Sequence, residues 1–197
     1  FEKPASFTWN GQPVTVTAYQ RFKWYADKAT AGKLVGKIDR MNARQLVWVV
    51  GSRVPDSELE WALKEMHLRQ KNWGDAYGMV EYDMEKAVKG TNRYASYTLA
   101  EILDEGGICS DRAYFSMHTA RAAGLPATDL SGDGPRGGHA WFTWMADDEE
   151  WHITGRFDGY GMGSTRHPQT GESLSEQEFV WRSNKRTHSE KGALTAH

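Results

Sequence analysis

The stretch GGICSDRAYF, residues 106–115, holds Cys109, the only cysteine among the 197 residues of the chain. Its glycine pair predicts a turn, and the residues that follow predict a helix that begins at the cysteine. The positive end of a helix favours the thiolate form of a thiol, which is the form that attacks acyl carbons. A lone cysteine is more often a small buried hydrophobe, so the assignment of Cys109 as a nucleophile depends on its surroundings.

The residues on either side of this stretch predict two consecutive helices. Thr98-Leu99-Ala100-Glu101 has the capping-box pattern, which indicates a short helix that ends near Asp104. After Cys109, apolar residues recur at helical spacing until a glycine and a proline end the pattern; these residues are Ala113, Met117, Ala120, Ala123, Gly124 and Pro126. Cys109 is therefore predicted at the head of a buried helix.

A histidine lies further along the chain, at the start of an apolar and aromatic run. Gly137-Gly138-His139-Ala140-Trp141 predicts a strand in which the glycines leave room in front of the imidazole. Alternation along the strand places Trp141 on the face of His139. Gly138, Trp141 and the later Tyr160 are candidate substrate-binding residues, although core packing is the commoner role of aromatic side chains.

The order of these features resembles the catalytic core of the transglutaminase-like superfamily over about sixty residues, 98–158. The features are the glycine pair, Cys109, the helix closed by Gly124-Leu125-Pro126, His139-Ala140-Trp141 and a later strand with Trp151. The resemblance implies an α+β fold with a papain-like core, in which the helix that carries the nucleophile packs on an antiparallel sheet. In this chain a helical N-terminal half would precede that core.

The resemblance also implies a reaction. This would be cysteine-dependent acyl transfer or amide-bond hydrolysis, through a thioester, on a protein, peptide or cell-wall peptide. His139 would take the proton of the Cys109 thiol, and the thiolate would attack the carbonyl carbon. Main-chain N–H groups at the helix start, that of Cys109 included, would stabilise the oxyanion. A side-chain donor that usually assists them is not assigned.

The third catalytic residue is where the chain departs from the family. Family members usually carry an aspartate a few residues after a tryptophan that resembles Trp151, and Thr154 or Gly155 stands at that place here. A threonine hydroxyl can accept a hydrogen bond from an imidazole, but it cannot stabilise an imidazolium as a carboxylate does. The hydroxyl of Thr154 is therefore one of two candidates for the orienting group.

The other candidate depends on the register of the hairpin after His139. A four-residue loop, 147–150, sets Asp158 opposite His139, close enough for a hydrogen bond. A five-residue loop, 146–150, sets Phe157 there and turns Asp158 to the other face. Both registers fit the sequence, and we take Asp158 as the third catalytic residue.

Length and composition predict one domain, 1–181, with a poorly ordered tail at 182–197, and the resemblance implies that residues 98–158 are its catalytic core. The net charge is −2 and the basic residues are scattered, so no nucleic-acid partner is expected. The longest apolar run is far shorter than the roughly 20 residues that cross a bilayer. The cysteine and histidines lack the paired spacing of zinc ligands, so we expect neither a metal nor a cofactor.

The expected partner is a protein or peptide substrate, and the sequence is compatible with a place in a larger multidomain protein. It begins at Phe1 without a signal-like segment, which favours a processed exported protein or an excised domain over an intact cytoplasmic chain. Its compartment stays unknown. The alternative to an enzyme is a catalytically weak or inactive module of the same fold that binds protein, because the third catalytic residue is missing from its usual place.

The remaining sequence predicts supporting elements. Asn10-Gly11 indicates an N-terminal hairpin, and residues 26–73 are mostly helical in pattern. One further helix is predicted from Tyr77 to Val88 and a last short helix after Ser175.

Overall fold

Most of the helices precede the main sheet along the chain, in an α+β fold. The computed structural model describes residues 5–146 and 149–184. The helices are α1 Ala18–Thr30, α2 Ala43–Val50, α3 Asp56–Glu65, α4 Ala76–Met79, α5 Met84–Lys89, α6 Leu99–Glu105, α7 Cys109–Ala122 and α8 Glu176–Ser183, with short 3₁₀ helices at Ile38–Arg40 and Gln70–Asp75. The strands are β1 Ala5–Trp9, β2 Gln12–Val16, β3 Ala127–Gly134, β4 Gly137–Met145, β5 Trp151–Thr154, β6 Ser164–Arg166 and β7 Ser173–Ser175.

The main sheet is antiparallel, with the strand order β5-β4-β3-β6-β7. Its longest ladder joins β3 to β4 and runs from the pair Ala127 and Trp144 to the turn after Gly134. The N-terminal hairpin predicted from Asn10-Gly11 is present as β1 and β2, and both turn residues have positive φ. This is the backbone that a tight two-residue hairpin turn requires.

Helix α7 lies at the centre of the molecule. It packs on β3 and β4, and α2, α3, α4 and α6 lie against its other sides. Ala113 and Ala120 are fully buried, and such small side chains let neighbouring elements approach the helix closely. The prediction of a buried helix headed by Cys109 is confirmed, and so is the capping box that starts α6 at Thr98.

The predicted helix from Tyr77 to Val88 is wrong in its middle. Helix α4 ends at Met79, the backbone becomes extended at Val80, and Tyr82 then forms a parallel bridge with Gly107. Helix α5 starts only after Asp83, whose carboxylate caps it at the Lys86 N–H. A contact with a distant loop therefore replaces the helical hydrogen bonds that local pattern favours.

The chain's last described helix runs slightly further than the sequence predicts. Arg182 and Ser183, assigned to the tail, belong to α8, and the Ser183 hydroxyl donates to the carbonyl of Phe179 at 2.6 Å. The rest of the predicted tail, 185–197, falls outside the described residues. Within residues 5–146 and 149–184, no helix combines the length and apolar character that a bilayer crossing demands.

His118 makes the fold sensitive to acid. Its side chain is buried in α7, and burial, reinforced by the charges of Arg121 and Arg21, lowers its pKa well below the ordinary value of 6.5. Below that pH the unfolded chain takes up a proton that the folded chain does not. The stability of the fold is therefore unaffected by this group above pH 6.5 and falls as the pH drops below it.

We predict that acidification destabilises the parent protein more than a His118→Gln variant, by up to about 1.4 kcal/mol per pH unit below the unfolded pKa. Urea unfolding at about pH 7.5 and about pH 5.5 measures the difference. His67 is exposed, so His67→Gln is the matched control and should keep the parental pH dependence. An identical pH dependence for the parent and His118→Gln would contradict this account.

Candidate functional site

Cys109 is the first residue of α7 and is half-buried against the central core. The N–H groups of Cys109 and Ser110 belong to the first helical turn, where a helix has no internal acceptors for them. Such groups attract negative charge. The start of α7 can therefore stabilise both a thiolate and an oxyanion beside it.

A neighbouring extended segment, 81–83, holds the loop that precedes the cysteine. The N–H of Gly107 donates to the carbonyl of Glu81 at 2.8 Å, and the N–H of Asp83 donates to the carbonyl of Gly107 at 3.1 Å. These bonds fix the loop from one side. They also explain why the chain leaves the helical conformation between α4 and α5.

A buried carboxylate fixes the start of α7 from the other side. Asp111 accepts from the N–H of Ile108 at 2.8 Å and from the hydroxyl of Tyr97 at 2.9 Å. The ammonium group of Lys86 lies 2.7 Å from the same carboxylate and 4.2 Å from the centre of the Tyr94 ring. Three donors therefore satisfy Asp111, as a buried carboxylate requires.

Both glycines before the cysteine are required by their surroundings. Gly106 has a φ of +76°, in the left-handed region that glycine adopts most easily. A Cβ on Gly107 would lie 2.5 Å from the Cβ of Asp111 and 2.7 Å from the hydroxyl oxygen of Tyr94. The glycine pair predicted as a turn therefore also lets the backbone approach the Asp111 cluster.

His139 lies on β4 and is buried, and the part of the chain that the structure describes gives its ring one hydrogen-bond partner. Its Nε2 is 2.6 Å from the carbonyl oxygen of Gly155. A carbonyl oxygen only accepts, so Nε2 carries the proton. In the neutral ring, the lone pair of Nδ1 is then free to act as a base.

Aromatic side chains surround the His139 ring. The ring of Phe157 stacks on it with centroids 4.0 Å apart, and Tyr160 and Trp141 lie at 5.3 and 6.0 Å. The Tyr160 hydroxyl donates to the carbonyl of Gly137. Two predicted substrate-binding residues thus adjoin His139, but Trp141 is fully buried. The third, Gly138, is an exposed residue of β4.

The hairpin after β4 has the register of a five-residue loop. Strand β4 pairs with β5 through Met145 and Trp151, so residues 146–150 form the connection. The four-residue loop that favoured Asp158 is therefore not formed, and Phe157 is the residue that meets His139. Asp158 is exposed in the turn beyond β5. Nε2 of His139 donates to the carbonyl of Gly155, and not to Asp158 or to the hydroxyl of Thr154.

Tyr77 connects the cysteine helix to the histidine strand. Its hydroxyl donates to the carbonyl of Ala140 at 2.8 Å and lies within electrostatic range of Cys109. Its ring packs so closely on Gly155 that a Cβ there would lie 2.6 Å from a ring carbon. Tyr77 therefore lies between the histidine strand and the helix that begins at Cys109. Within the part of the chain that the structure describes, no hydrogen bond joins Cys109 Sγ directly to the His139 ring.

Burial raises the pKa of Tyr77, which keeps its hydroxyl protonated and able to donate at neutral pH. Arg112 holds the residue in place, with its Nε donating to the Tyr77 carbonyl at 2.8 Å and its guanidinium 4.5 Å from the ring centre. No sequence signal marks Tyr77, because it lies in an ordinary amphipathic helical pattern. Only the packing of α4 on α7 brings it to the site.

The described residues 5–146 and 149–184 contain no group of three His, Cys, Asp or Glu side chains placed to hold a metal ion.

We predict that Gly107→Ala lowers the free energy of unfolding by about 1–3 kcal/mol, because the new methyl group collides with Asp111 and Tyr94. Urea unfolding measures the loss. Gly161→Ala is the matched control, since a Cβ there would meet no atom within 4 Å. If both variants are equally stable, Gly107 does not lie against Asp111 and Tyr94 as closely as the structure has it.

Comparisons with known proteins found no match for this chain: no protein-family model, no curated protein and no solved structure is similar to it at a significant level.

Proposed function

We propose that the protein is a cysteine acyltransferase or amidohydrolase of the transglutaminase-like kind, with a papain-like core, which acts on protein or peptide amides through a thioester at Cys109. One observation carries the proposal. Cys109 begins the central helix, with the main chain before it fixed by Asp111 and by Glu81. A nucleophile held at a helix start has donors for the developing oxyanion already in place.

The proposed reaction begins with neutral His139, whose proton is on Nε2. Nδ1 takes the proton of the Cys109 thiol, and Sγ forms a bond to the carbonyl carbon of the amide. The oxygen becomes negatively charged and accepts from the N–H groups of Cys109 and Ser110. The imidazolium then gives its proton to the leaving amine as the C–N bond breaks. Water or a second amine, deprotonated by His139, releases the acyl group and restores the thiol.

The proposal requires the His139 ring and Sγ to come within hydrogen-bond reach when substrate binds. Catalytic hydrogen bonds are often long or absent before substrate arrives and tighten in the complex. Tyr77 is the group that would have to adjust, since its hydroxyl binds the carbonyl of Ala140 beside His139 and its own carbonyl is held by Arg112 of the cysteine helix. If its hydroxyl leaves the carbonyl of Ala140, it becomes a side-chain donor to the oxyanion.

The surface beside the loop that precedes Cys109 suits a peptide substrate. Met79, Tyr82 and Met84 are exposed apolar side chains on the segment that runs along Gly107. The three residues lie within one six-residue stretch of the chain, and exposed apolar side chains that form a patch are typical of binding surfaces. We infer that they contact the substrate near the scissile bond, whether the acceptor is water or an amine.

A binding module with little catalytic power is the second candidate function, and a specific observation favours it. The partner of His139 is a neutral carbonyl, which stabilises an imidazolium less than a carboxylate does. In addition, Phe157 covers one face of the ring. The first feature leaves an imidazolium without a charged partner and the second restricts access to the ring, as in a fold retained for recognition.

Alkylation with iodoacetamide distinguishes the two functions. For an enzyme, we predict that Cys109 reacts at neutral pH about tenfold or more faster than free glutathione, and that His139→Ala removes most of this advantage. The rate constant is measured by mass spectrometry of the intact protein. His67→Ala is the matched control, because His67 is exposed and lies on another part of the chain.

An Asp158→Asn arm tests the orienting group in the same assay. If the carbonyl of Gly155 orients His139, this variant alkylates at the parental rate. A loss as large as that of His139→Ala would restore Asp158 as the third catalytic residue. If the parent protein alkylates no faster than glutathione and His139→Ala leaves that rate unchanged, the result contradicts the enzyme function and favours the binding module.

A further inference from the structure

A basic cleft of about 420 Å³ opens beside the second half of α7. Residues of α7, β3, β6 and β7 line it, together with Gly51, Arg53, His167 and Pro168. Neither Cys109 nor His139 is among the lining residues. His118, which lines the cleft, follows Cys109 by a rise of about 14 Å along the helix. This basic cleft is therefore separate from the proposed thiol site.

The lining of the basic cleft is positively charged. Arg53, Arg121 and Arg166 face a single acidic residue, Asp129, which leaves a net charge of two plus when the histidines are neutral. The whole chain has a net charge of −2, so this is a local concentration of positive charge. A concave surface of one sign of charge attracts ligands of the opposite sign.

Arg121 is a fixed cation within this lining. Its side chain is buried, with Nε donating to the carbonyl of Ala127 at 2.8 Å and Nη1 donating to that of Gly51 at 3.1 Å. Neither bond uses Nη2. Burial lowers the pKa of Arg121 to about 10, opposed by the nearby Asp129, so the group stays charged at neutral pH. Among residues 5–146 and 149–184, no carboxylate forms an ion pair with Arg121, and a buried cation without such a partner is costly unless an anion joins it.

The lining also supplies neutral polar groups. Hydroxyl groups come from Thr128, Ser131, Ser164, Thr165 and Ser173, and Oγ1 of Thr128 lies 2.7 Å from Oγ1 of Thr165. His118 is 2 % exposed, and its Nδ1 has no hydrogen-bond partner among the described residues. Buried polar groups of this kind are normally satisfied, so the lining has hydrogen-bonding capacity that the protein itself does not use.

We propose that this basic cleft binds a small molecule that carries a phosphate group. Arginine forks and hydroxyl groups are the donors that phosphate oxygens accept from most strongly. The net charge of the lining matches that of a phosphate dianion near neutral pH. The volume lies in the range of sites for small molecules and is too small for a folded partner.

Calorimetric titration of inorganic phosphate into the full chain, near neutral pH and at constant ionic strength, tests the proposal. We expect one saturable site with a Kd of about 1 mM or below. Arg53→Ala and Arg166→Ala, both at exposed positions of the lining, should each weaken binding about tenfold. Arg44→Ala is the matched control, since Arg44 is exposed on α2 and is not part of the lining.

Two results would overturn the proposal. One is the absence of saturable binding up to about 10 mM phosphate. The other is a loss of affinity in the two cleft variants no greater than in Arg44→Ala. Vesicles that contain phosphatidic acid form the second arm. If the protein binds these vesicles but not soluble phosphate, the arginines of the basic cleft bind a membrane surface, and the small-molecule site is contradicted.

Discussion

The carboxylate of Asp111 holds the start of the central helix, and the rest of the site depends on it. It joins the main chain before Cys109, the hydroxyl of Tyr97 and the ammonium group of Lys86 in one buried cluster. A buried ion pair of this kind is worth little by itself, but the loss of one partner typically costs about 3–5 kcal/mol. The cluster therefore fixes the conformation of the main chain at the start of α7, where Cys109 lies.

The predictable part of the structure follows from local signals. The capping box at Thr98, the Asn10-Gly11 turn and the glycine and proline after α7 each act within a few residues, and each marks an element that formed. The α+β class also follows from such patterns. The helical pattern after Val80 predicts the wrong conformation, because the extended backbone there depends on a bridge to Gly107, which is distant in sequence.

The unpredictable part of the site consists of main-chain groups and of packing. The partner of His139 is the carbonyl of Gly155, and every residue has a carbonyl, so residue identity carries no signal for it. The loop length that decides between Phe157 and Asp158 differs by one residue between the two registers. Tyr77 and the basic cleft depend on how α4 and β3 pack on α7 and on the pairing of β6 with β3.

The central claim is that Cys109 accepts an acyl group with help from His139, and trapping of the thioester tests it most directly. After brief reaction with p-nitrophenyl acetate, peptide mapping by mass spectrometry locates the acetyl group. The account predicts a single acetyl group on Cys109, formed much more slowly in His139→Ala and absent from Cys109→Ser. Acetylation spread over lysines, with Cys109 unmodified or unaffected by the loss of His139, would contradict it.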